Sequence, residues 1–395
     1  MTTEQATGCP VHGGRDDRKS ASLAAANVRP QPGATVVRSF EQARAVLRSS
    51  AMRQAGAGFD EARNDLTQSS VFFLEGETHR RRRTAIARYF TPKVIATRHR
   101  AVMERTADEL MAELRAAGGG ALDAVSFRMT VAVAAEIVGL TDSDQQGMAK
   151  RIKRSLLGTR LGEYTGLRRT LVQGVVAAHA VNFLVRDVLP AVRARRTERR
   201  EDVISHLLDE EYSIQQILVE CMTYAVAGMV TTREFIVMAA WHLFDDDALR
   251  ARFVAGDEAD QLAVLEEILR IEPVAAMLHR KATEDVELPL GAASKGEVLA
   301  LSIRDANVDE ATVGDCPFAL DPDRAERVRM VGAYMSFGDG SHRCPGAQVA
   351  MHESRVFLDR LFALPGLRLV QPPTMTWNDG IESYELREAL VSCDP

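Results

Sequence analysis

The stretch from Ser213 to Phe244 passes without a proline and opens on a serine suited to cap a helix. Its middle, Cys221 to Thr232, is almost wholly apolar or small. At about 1.5 Å per residue this predicts roughly 45 Å of helix, against a usual helix of about a dozen residues. Glu220, Arg233 and Glu234 flank the middle, which argues against a membrane span and for a helix running through the centre of a large fold. Within it Ala227-Gly228 stands out, because an interior Gly costs about 1 kcal/mol relative to Ala. Such a Gly marks tight helix packing, close approach of another body, or a local distortion.

The rest of the 395 residues reads mainly as helices separated by short breakers. SFEQARAVLRSS is a helix with Ser39 as its cap. Residues 96–116 carry apolar residues at helical spacing and run into Gly118, Gly119 and Gly120; residues 123–140 form another helix, followed by a turn at Thr141 to Ser143. Arg193 to Arg200 is read as a solvated loop or frayed helix end. Strand signals are few: Ala34 to Val37, Lys281 to Glu287, Glu297 to Leu301 and Leu367 to Leu369. No repeat and no long linker occur. The expectation is a flexible tail over residues 1–30 and one integrated domain over residues 31–395, mostly α with small β-sheets.

Hydrophobic residues make up 46% of the chain, ample for a large core. A net charge of -6 disfavours generic nucleic-acid binding. The five cysteines are scattered and form no CxxC pair, which argues against a disulfide framework or structural zinc. Cys9 and His12 are too few ligands for a metal site. The N-terminus has no apolar signal-type region, and no run of 18 apolar residues occurs, so a cytoplasmic protein without a membrane partner is expected.

The sharpest chemical signal is SFGDGSHRCPGAQVAMHESRVFLDRLF, residues 336–362. Phe337-Gly338-Asp339-Gly340 can form a tight loop. Pro345 suits the first position of a helix, which puts Cys344 just before a helix N-terminus, where the dipole and free N–H groups favour an anionic sulfur. A single thiolate in a Gly-rich loop can present a soft ligand to a metal; a buried, inert cysteine is the alternative reading.

Phe337, Gly338, Gly340, His342, Cys344 and Gly346, at this spacing, resemble the haem-binding loop of cytochromes P450, the thiolate case of haem ligation. Three further stretches match in order. Glu267-Ile268-Leu269-Arg270 resembles the family's Glu-x-x-Arg pair, which locks the fold around the loop before the haem cysteine. Arg280-Lys281-Ala282-Thr283 resembles the strand whose Arg meets a haem propionate. His79-Arg80-Arg81-Arg82-Arg83 resembles its His-x-x-x-Arg, with Arg80 to Arg82 left as a solvated face. Asn307-Val308-Asp309 is similar to the Asn-Arg-Asp stretch before the loop.

This resemblance implies the cytochrome P450 fold and haem b, with Cys344 as the metal ligand. It places Phe337 and Gly346 against the haem, and His79, Arg83, Arg280 and His342 on its propionates. The long helix becomes the distal helix, with Ala227, Gly228 and Thr231 as the catalytic set. Val230 stands where the family has Asp or Glu, so the usual proton relay is absent. The pocket is expected from residues 65–75, 155–170, Met222 to Val226, Ala275 to Leu278 and about Gly380, with Asn378 to Ser383 only loosely matching the family's substrate turn.

The implied reaction inserts one oxygen atom from O2 into a lipophilic substrate. Electrons would come from a separate ferredoxin docking on Arg343 and some of Arg80 to Arg82. A peroxide-using or non-hydroxylating haem-thiolate enzyme, favoured by Val230, and a non-catalytic haem ligand sensor are the rival readings.

Overall fold

The computed structural model describes residues 30–56, 70–289, 291–330 and 332–395. Most of the expected flexible tail, with Cys9 and His12, and residues 65–69 of the expected pocket lie outside them.

The helices that matter here are α1 (Phe40–Arg48), α2 (Gly76–Ala87), α3 (Arg100–Ala116), α4 (Leu122–Val138), α5 (Gln145–Ser155), α6 (Gly166–Thr197), α7 (Ile214–Asp245), α8 (Glu258–Ile271) and α9 (Ala347–Phe362). The long central helix is α7. Its N-terminus is fixed by a reciprocal capping box between Ser213 and Gln216. Halfway along, Ala225–Val230 widens into a π-turn, the local distortion that Gly228 signals in the sequence. Beyond it almost every residue from Thr232 to Leu243 is buried, because α4, α8 and α9 pack around this half.

Gly139 closes α4 at φ 98, where only glycine sits without strain. The helix read from residue 96 begins at Arg100, after a π-turn at Ile95–His99. Gly119 and Gly120, read as a breaker, instead pair as a short strand with Val391 and Ser392.

The basic stretch from Arg193 is a correction. It continues α6 to Thr197, and Arg195 is buried rather than solvated: its guanidinium meets Asp202 at 2.6 Å and Thr141 at 2.8 Å, and pairs with Asp142. Among the described cysteines, Cys221, Cys344 and Cys393 are free, and Cys316 is in a disulfide.

The main sheet holds β1 (Thr35–Val37), β2 (Met52–Ala55), β3 (Met277–Ala282) and β4 (Val298–Ser302) in the order β1-β4-β3-β2. β1 runs parallel to β4 and the other pairs are antiparallel, with Arg280 opposite Gln54. The strand expected from Lys281 therefore starts earlier, at Met277. β5 (Thr374–Asn378) and β6 (Ser383–Arg387) form a hairpin absent from the sequence reading.

Both α6 and α7 are long and apolar enough, by length and composition, to cross a membrane, which revises the expectation that no segment is. Each is pinned inside the protein by charge. In α7, Glu234 accepts from Leu386 N–H at 2.7 Å and pairs with Arg387 at 2.8 Å. In α6, buried Asp187 holds Arg151 at 2.6 Å.

Candidate functional site

The loop before α9 is built by its glycines. Gly338 and Gly340 both sit at φ 68, and a Cβ added at Gly340 would meet the Leu47 carbonyl, so the loop lies directly on the end of α1. Asp339 caps it, accepting from Gly340 N–H at 2.7 Å and pairing with Arg48 at 2.9 Å. Cys344 N–H donates to the Phe337 carbonyl at 2.9 Å and closes the turn.

The N–H groups of Gly346 and Ala347 donate toward the Cys344 sulfur, and Arg83 and Arg343 add positive charge. Pro345 between them has no N–H to offer. Burial outweighs these contributions and pushes the thiol up. The anionic sulfur therefore needs a strong cationic partner, which a coordinated metal supplies.

Around this loop the structure gathers four cationic or donor side chains from separate parts of the chain. His79, on α2, stacks on His342 with ring centroids 4.0 Å apart. His342 is held between Gln54 Nε2 and Glu75 Oε2, each at 2.9 Å. Arg83, one helical turn beyond His79, donates to the Arg343 carbonyl beside Cys344. Arg280 is buried on β3, and its guanidinium donates to the His279 carbonyl at 2.8 Å.

Burial pushes Arg280 down to about 10, partly offset by Glu75 and Glu382. Burial also pulls His79 down to about 4, with His342 and Arg83 adding to the effect. Burial thus holds Arg280 and His79 below their ordinary affinities for protons until anionic partners arrive. The cluster fits a ligand that brings carboxylates.

On α7, Ala227 and Gly228 are exposed although Ala225, Met229 and Val230 around them are buried. A Cβ added to Gly228 would meet nothing within 4 Å. The π-turn thus bares a small-residue face to open space. Thr231 Oγ1 donates back to the Ala227 carbonyl at 2.7 Å. Tyr224, one turn before Gly228, lies within electrostatic reach of Arg83, so this face of α7 stands near α2 and the Cys344 loop. Val230 points into the core.

Among the described residues no three His, Cys, Asp or Glu side chains could hold a bare metal ion. A metal here needs its other ligands from a prosthetic group. A surface cleft of about 800 Å³ between Trp241, Arg250, Phe362 and Leu367 contains none of these groups.

The Glu267–Arg270 pair, worth little if exposed, is buried, with Arg270 Nη2 to Glu267 Oε1 at 2.7 Å. Sequence reasoning missed its third member. Arg324 Nε meets the same Glu267 oxygen at 3.1 Å and donates to the carbonyls of Val313, Asp315, Cys316 and Ala319. Asn307 joins this knot to the loop, donating to the Arg270 carbonyl and Ser336 Oγ and accepting from Met335 N–H. Asn307 was singled out by resemblance. Arg324, within Asp-Pro-Asp-Arg, carries no local signal of burial. Glu75 and Gln54, the partners of His342, were also unforeseen.

Of the expected pocket segments, three meet. Asn378 Nδ2 donates to Thr159 Oγ1 at 3.0 Å, Gly380 abuts the Thr159 backbone, and Ala275 bridges to Ser383.

The family model for cytochrome P450 matches residues 262–364, which include the Glu267–Arg270 pair and the whole Cys344 loop. This chain is a cytochrome P450. It is 28% identical to nocardicin C N-oxygenase of Nocardia uniformis subsp. tsuyamanensis, over 87% of this chain and 86% of the relative. It is also 28% identical to mycinamicin IV hydroxylase/epoxidase of Micromonospora griseorubida, over 94% of each. The crystal structure of CalO2 superposes with a TM-score of 0.77 over all of both chains at 23% identity.

As a cytochrome P450 the protein is an oxidoreductase of the monooxygenase class that uses haem iron, dioxygen and an organic substrate. When bound, the haem supplies the oxygen chemistry. Cys344 is the free thiol at the match and would hold the iron, with His79, Arg83, Arg280 and His342 placed to receive carboxylates.

Proposed function

We propose that this cytochrome P450 holds haem b through Cys344 and inserts one atom of O2 into a lipophilic organic substrate, with electrons from a separate ferredoxin. One observation carries this reading: a free thiol faced by the Gly346 and Ala347 amides stands beside a cluster of His and Arg side chains, of which His79 and Arg280 are buried, near the bared face of α7. His79, Arg83, Arg280 and His342 anchor the propionates, and Phe337 and Gly346 line the cysteine side of the haem. Ala227 and Gly228 would give dioxygen room, and Thr231 would offer it a hydroxyl hydrogen bond on turning away from the Ala227 carbonyl. Exposed Arg80, Arg81 and Arg343 on the Cys344 side form the basic face for an acidic redox protein, a contact that acts mainly on association rate. A cytoplasmic location fits such a partner.

Buried Val230, with no group to relay a proton, favours a second reading in which peroxide is the oxidant.

The test is the carbon monoxide complex of the reduced protein followed by turnover. The native protein should show the red-shifted Soret band of thiolate haem, and Cys344→Ser should lose it. A band that survives this change but disappears in Cys316→Ser would refute the assignment. Turnover with peroxide but not with ferredoxin and NAD(P)H would select the second reading.

A further inference from the structure

The outer face of α6 has no counterpart in the site described above. Leu167 and Leu171 are 77% and 63% exposed, and Val175, Val181 and Val185 are each about half exposed. They follow one another at i+4, i+4, i+6 and i+4, so they fall on one side of the helix, with exposed Gly174 and Ala178 between them. The stripe is about 27 Å long. The opposite side, at Phe183, Asp187 and Val188, is buried, and α5 packs alongside. An aliphatic row of this length directed away from the core marks an interaction surface.

Charge identifies what would cover it. Residues 145–197 contain eleven Lys or Arg and only two acids, Glu163 and Asp187, in a chain of net charge -6. Asp187 is buried against Arg151 and Glu163 pairs with Arg160. Lys150, Lys153 and Arg154 on α5 and Arg168, Arg186 and Arg193 on α6 are exposed. A second copy of the chain would bring a like-charged surface against this one. A helix with an aliphatic stripe and basic flanks suits the boundary of an anionic bilayer, where leucine and valine enter the acyl region and arginine meets phosphate.

We propose that the outer face of α5 and α6 docks this protein on membrane surfaces rich in anionic lipid, lying on the bilayer without crossing it. The ion pairs that hold α6 in the protein, Asp187–Arg151 and Arg195–Asp202, stay intact in this arrangement. The 156–163 segment that precedes α6 touches the Gly380 turn. If the monooxygenase reading holds, docking brings one wall of the expected pocket to the lipid from which an apolar substrate would come. The docking itself is independent of that reading.

The experiment is co-sedimentation of the full-length holoprotein with vesicles of phosphatidylcholine alone and with about one-third phosphatidylglycerol. Binding to the anionic vesicles should be at least about tenfold stronger and should fall steeply with added salt. Leu167→Ser with Leu171→Ser should weaken it by about tenfold or more. Lys153→Glu with Arg154→Glu should weaken it roughly fivefold per charge lost and flatten its salt dependence. All four positions are exposed, and the carbon monoxide band of each variant reports its folding without entering the binding measurement. Absence of vesicle binding, or equal binding by native protein and both double variants, would overturn the proposal. So would a dimer in analytical ultracentrifugation that Leu167→Ser dissolves, since a second copy would then cover the stripe. Retention on vesicles only through an added acidic protein would assign the surface to that protein instead.

Discussion

Arg324 Nε and Arg270 Nη2 hold the same oxygen of Glu267, at 3.1 Å and 2.7 Å. All three side chains are buried; Arg270 Nε takes the other Glu267 oxygen at 2.7 Å, and the two guanidiniums otherwise donate to backbone carbonyls of residues 307–319. Removing Arg324 leaves the buried carbonyls of Val313, Asp315 and Cys316 without their guanidinium donor and takes one cation from Glu267, which keeps Arg270. Breaking a buried ion pair on one side costs about 3–5 kcal/mol. Arg324→Ala should lower the urea midpoint by that equivalent and yield protein with little haem. Full haem content and an unchanged midpoint would show that Arg270 alone carries the knot.

Pro345 withholds the backbone donor nearest the Cys344 sulfur, while Gly346 and Ala347 still donate to it. With fewer hydrogen bonds the sulfur keeps more charge and favours ferric over ferrous iron. Pro345→Leu restores an N–H. One charge-assisted hydrogen bond is worth about 1.5–3 kcal/mol, so the ferric/ferrous potential should rise by tens of millivolts. Potentiometry on both substrate-free proteins in the same spin state is the check; an equal or lower potential would count against tuning by the missing amide.

Thr231 keeps its hydroxyl bonded to the Ala227 carbonyl, and Val230 beside it carries no proton. Thr231→Ala should increase the share of electrons lost as peroxide. Val230→Asp should change that share as well, because it introduces an ionisable group next to the helix opening. Peroxide yield per NAD(P)H consumed measures both. No effect from either would remove this stretch from oxygen activation.

Glu220 is buried on α7, where Oε1 accepts from Val71 N–H at 3.0 Å and Oε2 finds no partner among the described residues. Burial pushes its pKa up to about 7, against 4.5 ordinarily, with the Val71 bond and Arg82 opposing. The folded protein thus holds a proton that the unfolded chain has released between these values. Stability should fall as pH rises from about 4.5 to 7. Glu220→Gln, which is always neutral, should lack this decline. Urea midpoints of both proteins at pH 5 and pH 8 would show it; parallel pH profiles would mean the carboxyl ionises freely in the fold.

The helices and the loop were legible because their signals are local. The capping serine, the proline-free run and the glycines at 338 and 340 act within one or two turns. The hairpin Thr374–Arg387 was not, since its strands are short and its partners, Glu234 and Thr159, are distant in sequence. Arg195 read as surface, and Arg324 was not singled out at all, because burial of a guanidinium is decided by carboxylates that only the fold brings near. His342 was identifiable by resemblance, but its partners Glu75 and Gln54 depend on how α2 and the sheet meet.

The π-turn at Ala225–Val230 amounts to one residue too many in an otherwise regular helix. Losing a single codon there would restore ordinary winding, and because the wide turn already winds about one residue's 100° short, the two halves would keep their phase. The upstream half is tied by Glu220 to Val71 and by Thr223 to Ser70. The downstream half is tied by Glu234 to Leu386 and Arg387. A deletion within the turn would leave both sets of anchors in place and lose only the bared Ala227–Gly228 face, whereas a deletion elsewhere between the anchors would set them out of phase.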